Sequence, residues 1–192
     1  EIMHEKLIIY SNLNNIGGIF LEQNQPDSAL SYFNLVLKDA VEMNDSSGMA
    51  EVYGNIGDAY YKKNNLPLSL QNYFQSLHIS EKVDNKYTLM TSYGSIGSIY
   101  AAMKEYDKSL AYQLKGIEIA SSLNSKGNLK DIYKTISETY ADKKDFPKAY
   151  AYHKKYSEMK DTLLNEESSK QITEMSTKYE TEKKEQKITL LN

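Results

Sequence analysis

Two glycine-containing segments are the first candidates for chemistry in this sequence. "YGNIG" begins at Tyr53 and "YGSIG" begins at Tyr93. A glycine-rich loop that binds phosphate follows a strand, opens a helix and has a fixed glycine spacing. Neither segment has the spacing of a P-loop or a Rossmann fingerprint, and neither follows a predicted strand. These glycines therefore call for an explanation other than phosphate binding.

Histidines and carboxylates are the other side chains that could do chemistry. His4, His78 and His153 lie far apart, and no HExxH or similar metal-ligand spacing occurs. We interpret His153 as a half-buried packing residue and His78 as a surface residue. The carboxylates lie on predicted helix faces beside lysines, and no closed pocket is predicted that would separate their pKa values for acid–base work. We therefore predict no catalytic residue, no metal site and no cofactor, and a chain that is not itself an enzyme.

The composition excludes further classes of function. The chain has 192 residues, a formal net charge of -3 and no Cys. All 23 basic residues are Lys, so no positive surface with arginine forks is available for nucleic acid. No apolar run of about 18 residues could span a membrane, and no signal peptide is recognisable. The sequence starts in the middle of a helical pattern, which favours a fragment of a longer protein.

A repeat of 40 residues accounts for the glycines. Small residues recur at Gly17, Gly57, Gly97 and Ser137, and a second series recurs at Ala29, Ser69, Ser109 and Ala149. The first series is preceded by Ile16, Ile56, Ile96 and Ile136, and followed three residues later by Phe20, Tyr60, Tyr100 and Tyr140. A fixed period of this length is typical of stacked supersecondary units. We interpret each pair of small residues as the place where two helices of one hairpin cross closely.

Apolar residues at helical spacing divide each unit into two helices. The predicted helices are 3–23, 27–43, 47–64, 67–83, 87–104, 107–123, 127–144 and 147–163. Pro67 and Pro147 fit the first turn of a helix, and Asn44, Asp84 and Asn124 fit a left-handed residue that ends one. The prediction is an all-α, right-handed solenoid of four hairpins, 7–44, 47–84, 87–124 and 127–164, which together form a repeat domain of residues 1–164.

These units resemble tetratricopeptide repeats. Tyr53, Ile56, Gly57 and Tyr60 fit the first half of that family's signature, and Ala29 with Phe33 fits the second half. The departures are Ser137 in the glycine position, Gln113 and His153 in the aromatic position, and a period of 40 instead of 34. The resemblance implies a module that binds proteins or peptides on its concave face.

We expect the concave face to consist of residues on the first helix of each hairpin, on the side away from the second helix. They are Ser11, Asn14, Gly18, Leu21, Glu51, Gly54, Asp58, Tyr61, Thr91, Gly94, Ser98, Ala101, Asp131, Lys134, Glu138 and Ala141. Relatives that bind acidic C-terminal peptides present Lys and Asn here, and this pattern is absent. The small, uncharged middle with acidic flanks favours an extended peptide or a partner helix.

Residues 165–192 do not continue the repeat. They are rich in Glu and Lys at helical spacing, which predicts a charged helix that caps the last hairpin or connects it to a downstream segment. Ile172, Met175 and Tyr179 form a short apolar stripe through which two copies could pair. Whether the helix breaks near Asn165 is left open by the sequence.

The tail is also similar to the segment that ends the repeat region of bacterial membrane-bound sensor histidine kinases. Tyr156, Lys160, Asp161, Leu163, Asn165, Glu166 and the run 178–188 carry this likeness. It implies the extracytoplasmic sensor region of such a kinase, with a membrane helix and a kinase module downstream. The alternatives are the repeat region of a DNA-binding regulator, in a cytoplasmic setting, and a free-standing scaffold or assembly factor.

Overall fold

Eight helices account for the fold of this chain, as seen in a computed structural model that describes residues 2–191 and the side chains of residues 10–185. The helices are α1 (Ile2–Glu22), α2 (Pro26–Glu42), α3 (Ser46–Lys62), α4 (Leu66–Val83), α5 (Lys86–Ala102), α6 (Tyr106–Ser122), α7 (Lys126–Asp142) and α8 (Phe146–Leu191). The described residues contain no strand. The all-α prediction is confirmed, and each helix begins one residue before its predicted start.

The seven loops share one conformation. A residue with positive φ occurs every 20 residues, at Asn24, Asn44, Asn64, Asp84, Lys104, Asn124 and Lys144. Five of these seven are Asn or Asp, the non-glycine residues that adopt the left-handed region most readily. The loops within hairpins thus have the same left-handed residue as the loops between hairpins. The structural unit is one helix together with its turn, 20 residues in all.

Polar side chains begin several of the helices. The carboxylate of Asp45 accepts a bond from the backbone N–H of Gly48 at 2.9 Å. The side-chain oxygens of Asn65 and Asn85 accept bonds from the N–H groups three residues later. Each contact satisfies one of the N–H groups that a helix leaves unpaired at its start. In α3, α4 and α5 a capping residue directly after the left-handed residue fixes where the helix begins.

The helices form two layers. Consecutive helices pack against each other, and α1, α3, α5 and α7 also contact their neighbours within the odd-numbered series. Among the described residues, no such contact joins α2, α4, α6 and α8. The odd-numbered helices are therefore the closer, inner layer, and the even-numbered helices spread apart on the outside. The predicted assignment of the concave face to the first helix of each hairpin follows from this arrangement.

The repeated glycines lie where the two helices of a hairpin cross. A Cβ atom on Gly57 would lie 2.7 Å from the ring of Tyr73, and one on Gly17 would lie 2.5 Å from the ring of Phe33. The hydroxyl of Ser69 also donates to the carbonyl of Gly57 at 2.7 Å. Because the ring packs directly on the glycine, any side chain there would push the helices apart. The predicted packing role of these glycines is confirmed.

The fourth hairpin departs from this pattern at one crossing. Ser137 replaces the glycine, and its hydroxyl donates to the carbonyl of Ala149 at 2.9 Å. His153, which occupies the position of Phe33 and Tyr73, is exposed. The interpretation of His153 as half-buried was wrong, because within the described residues no further hairpin packs against this part of α8. His78 is exposed, as predicted.

The core runs along the solenoid from one helix layer to the next. Phe33, Val36 and Val52 are buried between α2 and α3, and Ile96 and Ile99 are buried in the third hairpin. A further cluster joins Met90 of α5 to Ile132 and Ile136 of α7. Each hairpin thus buries apolar surface against the next, as repeat architectures require.

The eighth helix was predicted to end at residue 163, with a break near Asn165 left open. It continues without a break to Leu191. Ile172, Met175 and Tyr179 are 70%, 73% and 61% exposed. These residues therefore do not pack on the last hairpin, and the role of residues 165–192 as a cap or a connector stays a prediction. Glu166 forms an ion pair with Lys126 of α7, and beyond it the described residues of the helix are exposed. None of the helices in the described part is both long and apolar enough to cross a membrane.

Candidate functional site

A groove of about 700 Å³ lies on the inner layer, between α3, α5 and α7. Its lining residues are Glu51, Gly54, Asn55, Asp58, Tyr73, Asn85, Tyr87, Thr88, Met90, Thr91, Gly94, Ser95, Ser98, Gln113, Asn128, Asp131, Ile132 and Thr135. Most of these side chains are small or carry an uncharged polar group. Such a surface can accept hydrogen bonds from, and donate them to, a ligand that lies along it.

The structure brings seven of the predicted concave residues together in this groove. They are Glu51, Gly54, Asp58, Thr91, Gly94, Ser98 and Asp131. Asn14 lies next to them, since it donates to Glu51 at 3.1 Å and accepts from Asn55 at 2.8 Å. The predicted residues of the second, third and fourth hairpins therefore form one continuous site.

Other predicted residues lie outside the groove. Leu21 packs against the core cluster of the first hairpin, so its placement on the binding surface was wrong. Ser11 and Tyr61 are exposed but do not line the groove. Lys134 and Glu138 are 3.9 Å apart in an ion pair on the exposed face of α7. Gly18, Ala101 and Ala141 also do not line it.

Sequence reasoning missed a second row of lining residues. Asn55, Ser95 and Thr135 occupy one repeat position, and Thr88 and Asn128 occupy another. Both positions lie three residues before a predicted one, so they share its helix face. A further step of three residues along the same face would have found them from the sequence.

A carboxylate and a phenol meet at the floor of the groove. The hydroxyl of Tyr73, a buried residue of α4, donates to Oδ1 of Asp58 on α3. The surrounding groove walls raise the pKa of Asp58 more than the Tyr73 bond and the charge of Lys62 lower it. Asp58 is nevertheless exposed to solvent, so this effect on its charge is limited. Burial, together with the charge of Asp58, raises the pKa of Tyr73 well above its ordinary value. Asp58 is therefore an exposed carboxylate whose orientation is held by a buried phenol.

An amide forms the floor of the neighbouring section. Gln113 of α6 is fully buried, and its Nε2 donates to the carbonyl of Gly94 at 3.2 Å and to Oγ of Ser98 at 3.4 Å. Its Oε1 is buried without a hydrogen-bond partner among the described residues. Gln113 occupies the repeat position of Phe33 and Tyr73, where packing alone favours an aromatic ring. The polar replacement at this position thus faces the groove.

The two glycines of the opening motif differ in role. Gly57 and Gly97 lie under the side chains of Tyr73 and Gln113 and have no room for a Cβ atom. Gly54 and Gly94 line the groove, and a Cβ atom there would lie 3.6 Å and 3.7 Å from its nearest neighbours. These are ordinary contact distances. Packing therefore requires Gly57 and Gly97 but does not require Gly54 and Gly94.

Among the described residues, no group of three or more His, Asp, Glu or Cys side chains could hold a metal ion. In the Asp58–Tyr73 pair, Asp58 accepts the hydrogen bond and Tyr73 donates it. The raised pKa of Tyr73 keeps its hydroxyl protonated. The arrangement supports non-covalent recognition of a ligand along the inner face.

Residues 91–123 match the family model described as tetratricopeptide repeat. This segment covers most of α5, all of α6 and the loop between them. The fold is a tetratricopeptide-like solenoid. No curated protein matches the sequence at a significant level.

Solved structures of other tetratricopeptide-like proteins are similar to this chain in fold. The apo form of RapI aligns with a TM-score of 0.72 and 18% identity over 82% of this chain and 44% of its own. A STAND protein with a tetratricopeptide repeat sensor from Pyrococcus horikoshii aligns with a TM-score of 0.70 and 19% identity, over 83% and 25%. A Rap protein complexed with competence and sporulation factor aligns with a TM-score of 0.60 and 14% identity, over 80% and 52%. The chain thus spans about half or less of the length of these proteins.

Proposed function

We propose that this chain is a protein-interaction and sensing module that binds an extended segment of a partner in the groove of its inner layer. The observation that carries the proposal is the groove itself, which is continuous over α3, α5 and α7 and lined by side chains that form hydrogen bonds. An extended peptide leaves its backbone N–H and C=O groups available for such partners. The Rap protein complexed with competence and sporulation factor supports ligand binding by a solenoid of this fold.

The matched experiment compares variants on the two layers of the solenoid. Asp58→Lys changes the floor of the groove, whereas Glu118→Lys makes the same charge change on α6 of the outer layer. We expect Asp58→Lys to lose the partner in an affinity purification and Glu118→Lys to retain it. Equal recovery with both variants would contradict binding in the groove.

We further propose that the chain is the extracytoplasmic sensor region of a two-component sensor histidine kinase. The continuous helix α8 supports this role, because its first turns belong to the last hairpin and its remainder extends beyond the solenoid. At 1.5 Å per residue its 46 residues span about 69 Å. A change in the solenoid that tilts α8 would therefore be carried to the far end of the helix. The tetratricopeptide repeat sensor of the STAND protein gives a fold-level parallel.

The coding sequence after Asn192 tests the sensor proposal separately from the groove. A run of about 20 apolar residues followed by a histidine kinase module would support it. A DNA-binding domain, or a stop codon shortly after Asn192, would contradict it and favour a regulator or a free-standing scaffold. Binding in the groove is compatible with each of these results.

Pairing of two copies through α8 also belongs to this proposal. Ile172, Met175 and Tyr179 recur at three- and four-residue spacing, and all three are exposed on one helix. A second copy that packs against this stripe would bury it, as two-stranded coiled coils do. Such a pair would place two solenoids at one end of a common stalk.

A further inference from the structure

The charge of the groove is of one sign. Its 18 lining residues include three acidic ones, Glu51, Asp58 and Asp131, and no Lys. Asp131 has a counter-ion at the rim, since Lys130 lies 3.2 Å from it. Neither Glu51 nor Asp58 forms an ion pair with a lysine whose side chain the structure describes. Lys62, one helical turn beyond Asp58, offsets part of this charge without forming an ion pair. A ligand along α3 therefore meets a partly compensated negative potential, which attracts cations and repels carboxylates.

Asp58 retains free acceptor capacity toward the groove. A carboxylate offers about four acceptor positions, and Tyr73 fills one position on Oδ1. The bond from Tyr73 also fixes the orientation of the carboxylate, because Tyr73 itself is buried and packed against Gly57. The acceptor is thus held in place before any ligand arrives, and binding needs little reorganisation there.

Gln113 gives independent evidence that the groove suits a ligand that donates a hydrogen bond. Its Oε1 is a strong acceptor, fully buried and without a partner among the described residues, at the floor of the same groove. A buried acceptor without a hydrogen bond lowers stability, and such groups are rare in folded proteins. The amide nitrogen of Gln113 is already engaged by Gly94 and Ser98, so the orientation of Oε1 is set. The site therefore has one charged acceptor at its surface, Asp58, and one neutral acceptor beneath it, Oε1 of Gln113, which a ligand reaches once the lining above it moves apart.

On the basis of the proposed function, we infer that the partner segment carries a basic side chain, Lys or Arg, that donates hydrogen bonds to Asp58 and to Oε1 of Gln113. Glu51 and Asp131 add to the potential that attracts it. Gly54 and Gly94 leave the room that the long aliphatic part of such a side chain needs, and Thr91 and Asn128 flank the peptide backbone. A groove of about 700 Å³ holds several residues of a peptide.

The test uses the full chain labelled with nitrogen-15 and three peptides with one varied centre. The peptides are acetyl-Ser-Gly-X-Gly-Ser-amide with Lys, Gln or Glu at X. The amide signals of Gly54 and Gly94 report occupancy of the groove during the titration. We expect the Lys peptide to bind at least about tenfold more tightly than the Gln peptide, and the Glu peptide to be weakest.

Two variants in different hairpins separate recognition from folding. Asp58→Asn keeps an oxygen that can accept from Tyr73, and Gln113→Met keeps the side-chain volume while it removes the amide. We expect each variant to weaken binding of the Lys peptide about tenfold, and Glu118→Gln on the outer layer to leave it unchanged. The two variants lie in different hairpins. If one of them misfolds, the other still tests whether the groove selects a basic side chain.

The outcomes distinguish this inference from the proposed function. Equal affinity for the Lys and Gln peptides, or tighter binding of the Glu peptide, would overturn selection of a basic side chain and leave peptide binding in the groove intact. If no peptide shifts Gly54 or Gly94 at millimolar concentration, both proposals are contradicted.

Discussion

At the scale of single residues, the repeated glycines divide into those that packing requires and those that it does not. Gly57→Ala would place a Cβ atom 2.7 Å from the ring of Tyr73. The ring is buried between helices and cannot retreat, so we expect the free energy of unfolding to fall by about 1–3 kcal/mol. Chemical denaturation followed by circular dichroism measures this change.

Gly18→Ala is the matched control for that prediction. Gly18 lies in the interior of α1, and a Cβ atom there meets nothing within 4 Å. The substitution removes the cost of glycine in a helix, so we expect the free energy of unfolding to rise by about 0.5–1 kcal/mol. A fall for Gly18→Ala as large as that for Gly57→Ala would contradict the assignment of packing to Gly57.

We expect the ionised carboxylate of Asp58 to lower the stability of the folded chain. Its pKa is raised above the ordinary value of 3.8, chiefly by burial, so the folded state holds this proton more tightly than the unfolded state. The carboxylate therefore destabilises the fold above its raised pKa, and this effect disappears as the pH falls through that pKa toward 3.8. Because Asp58 is exposed and partly hydrated, the effect is small: we expect Asp58→Asn to be slightly more stable than the wild type at neutral pH, with a gap that narrows in acid. Thermal unfolding from pH 7 to pH 4 measures the gap, and a variant less stable than the wild type throughout would contradict the account.

At the residue scale, the sequence predicted the position of Asp58 but not its environment. Helical spacing places Gly54 and Asp58 on the inner face because each hairpin repeats the same register. The spacing does not reveal that Tyr73 reaches Asp58 or that Gln113 lacks a partner for Oε1. Both features depend on how far the side chains of α4 and α6 reach beneath the inner layer. Packing between the helices sets that distance.

At the scale of single elements, the left-handed loop residues decide where helices end. Lys104 has φ of 61° and Asn64 has φ of 57° in equivalent loops. A residue other than Asn, Asp or Gly strains this conformation by roughly 1 kcal/mol. We expect Lys104→Asn to raise the free energy of unfolding by about 0.5–1 kcal/mol and Asn64→Lys to lower it by a similar amount. Equal effects of the same sign in denaturation experiments would contradict a common loop geometry.

The eighth helix offers a second test at this scale. Its exposed part makes no packing contact that the solenoid needs, apart from the Lys126–Glu166 ion pair near its start. Proline at position 171 would break the helix there at a local cost of about 3 kcal/mol. We expect Gln171→Pro to leave the midpoint of solenoid unfolding unchanged while helical content falls. A large drop of the midpoint would show that the distal part of α8 packs on the hairpins.

The sequence predicted the seven shorter helices well because several signals reinforce one another. Apolar spacing recurs in each repeat, five of the seven left-handed residues are Asn or Asp, and several helices begin with a capping side chain. The length of α8 was missed for a physical reason. Its tail lacks the apolar face that defines the earlier helices and is helical through charged residues at i and i+4, such as Lys170 with Glu174 and Lys178 with Glu182. That pattern predicts a helix but gives no sign of a break or a continuation at Asn165.

At the scale of the whole molecule, the stripe on α8 bears on assembly. If two copies pair through Ile172, Met175 and Tyr179, a charge in the middle of the stripe should prevent it, since an unpaired buried charge is strongly unfavourable. We expect the wild type to sediment as a dimer at high concentration and Met175→Glu as a monomer. Thr177→Glu adds the same charge on the opposite face of α8, because residue 177 lies about half a helical turn from the stripe, and it is the control. Identical sedimentation of the wild type and Met175→Glu would contradict pairing through α8.

On the proposed function, the inner layer of the solenoid binds a partner segment between α3, α5 and α7. The most direct measurement is site-specific photocrosslinking from two positions in the native host. Thr91 lines the groove, and Leu114 is exposed on the outer layer. The account predicts that a photoreactive residue at position 91 captures a defined partner segment with a basic side chain, and that one at position 114 does not. Capture from position 114 alone, or equally from both, would contradict it.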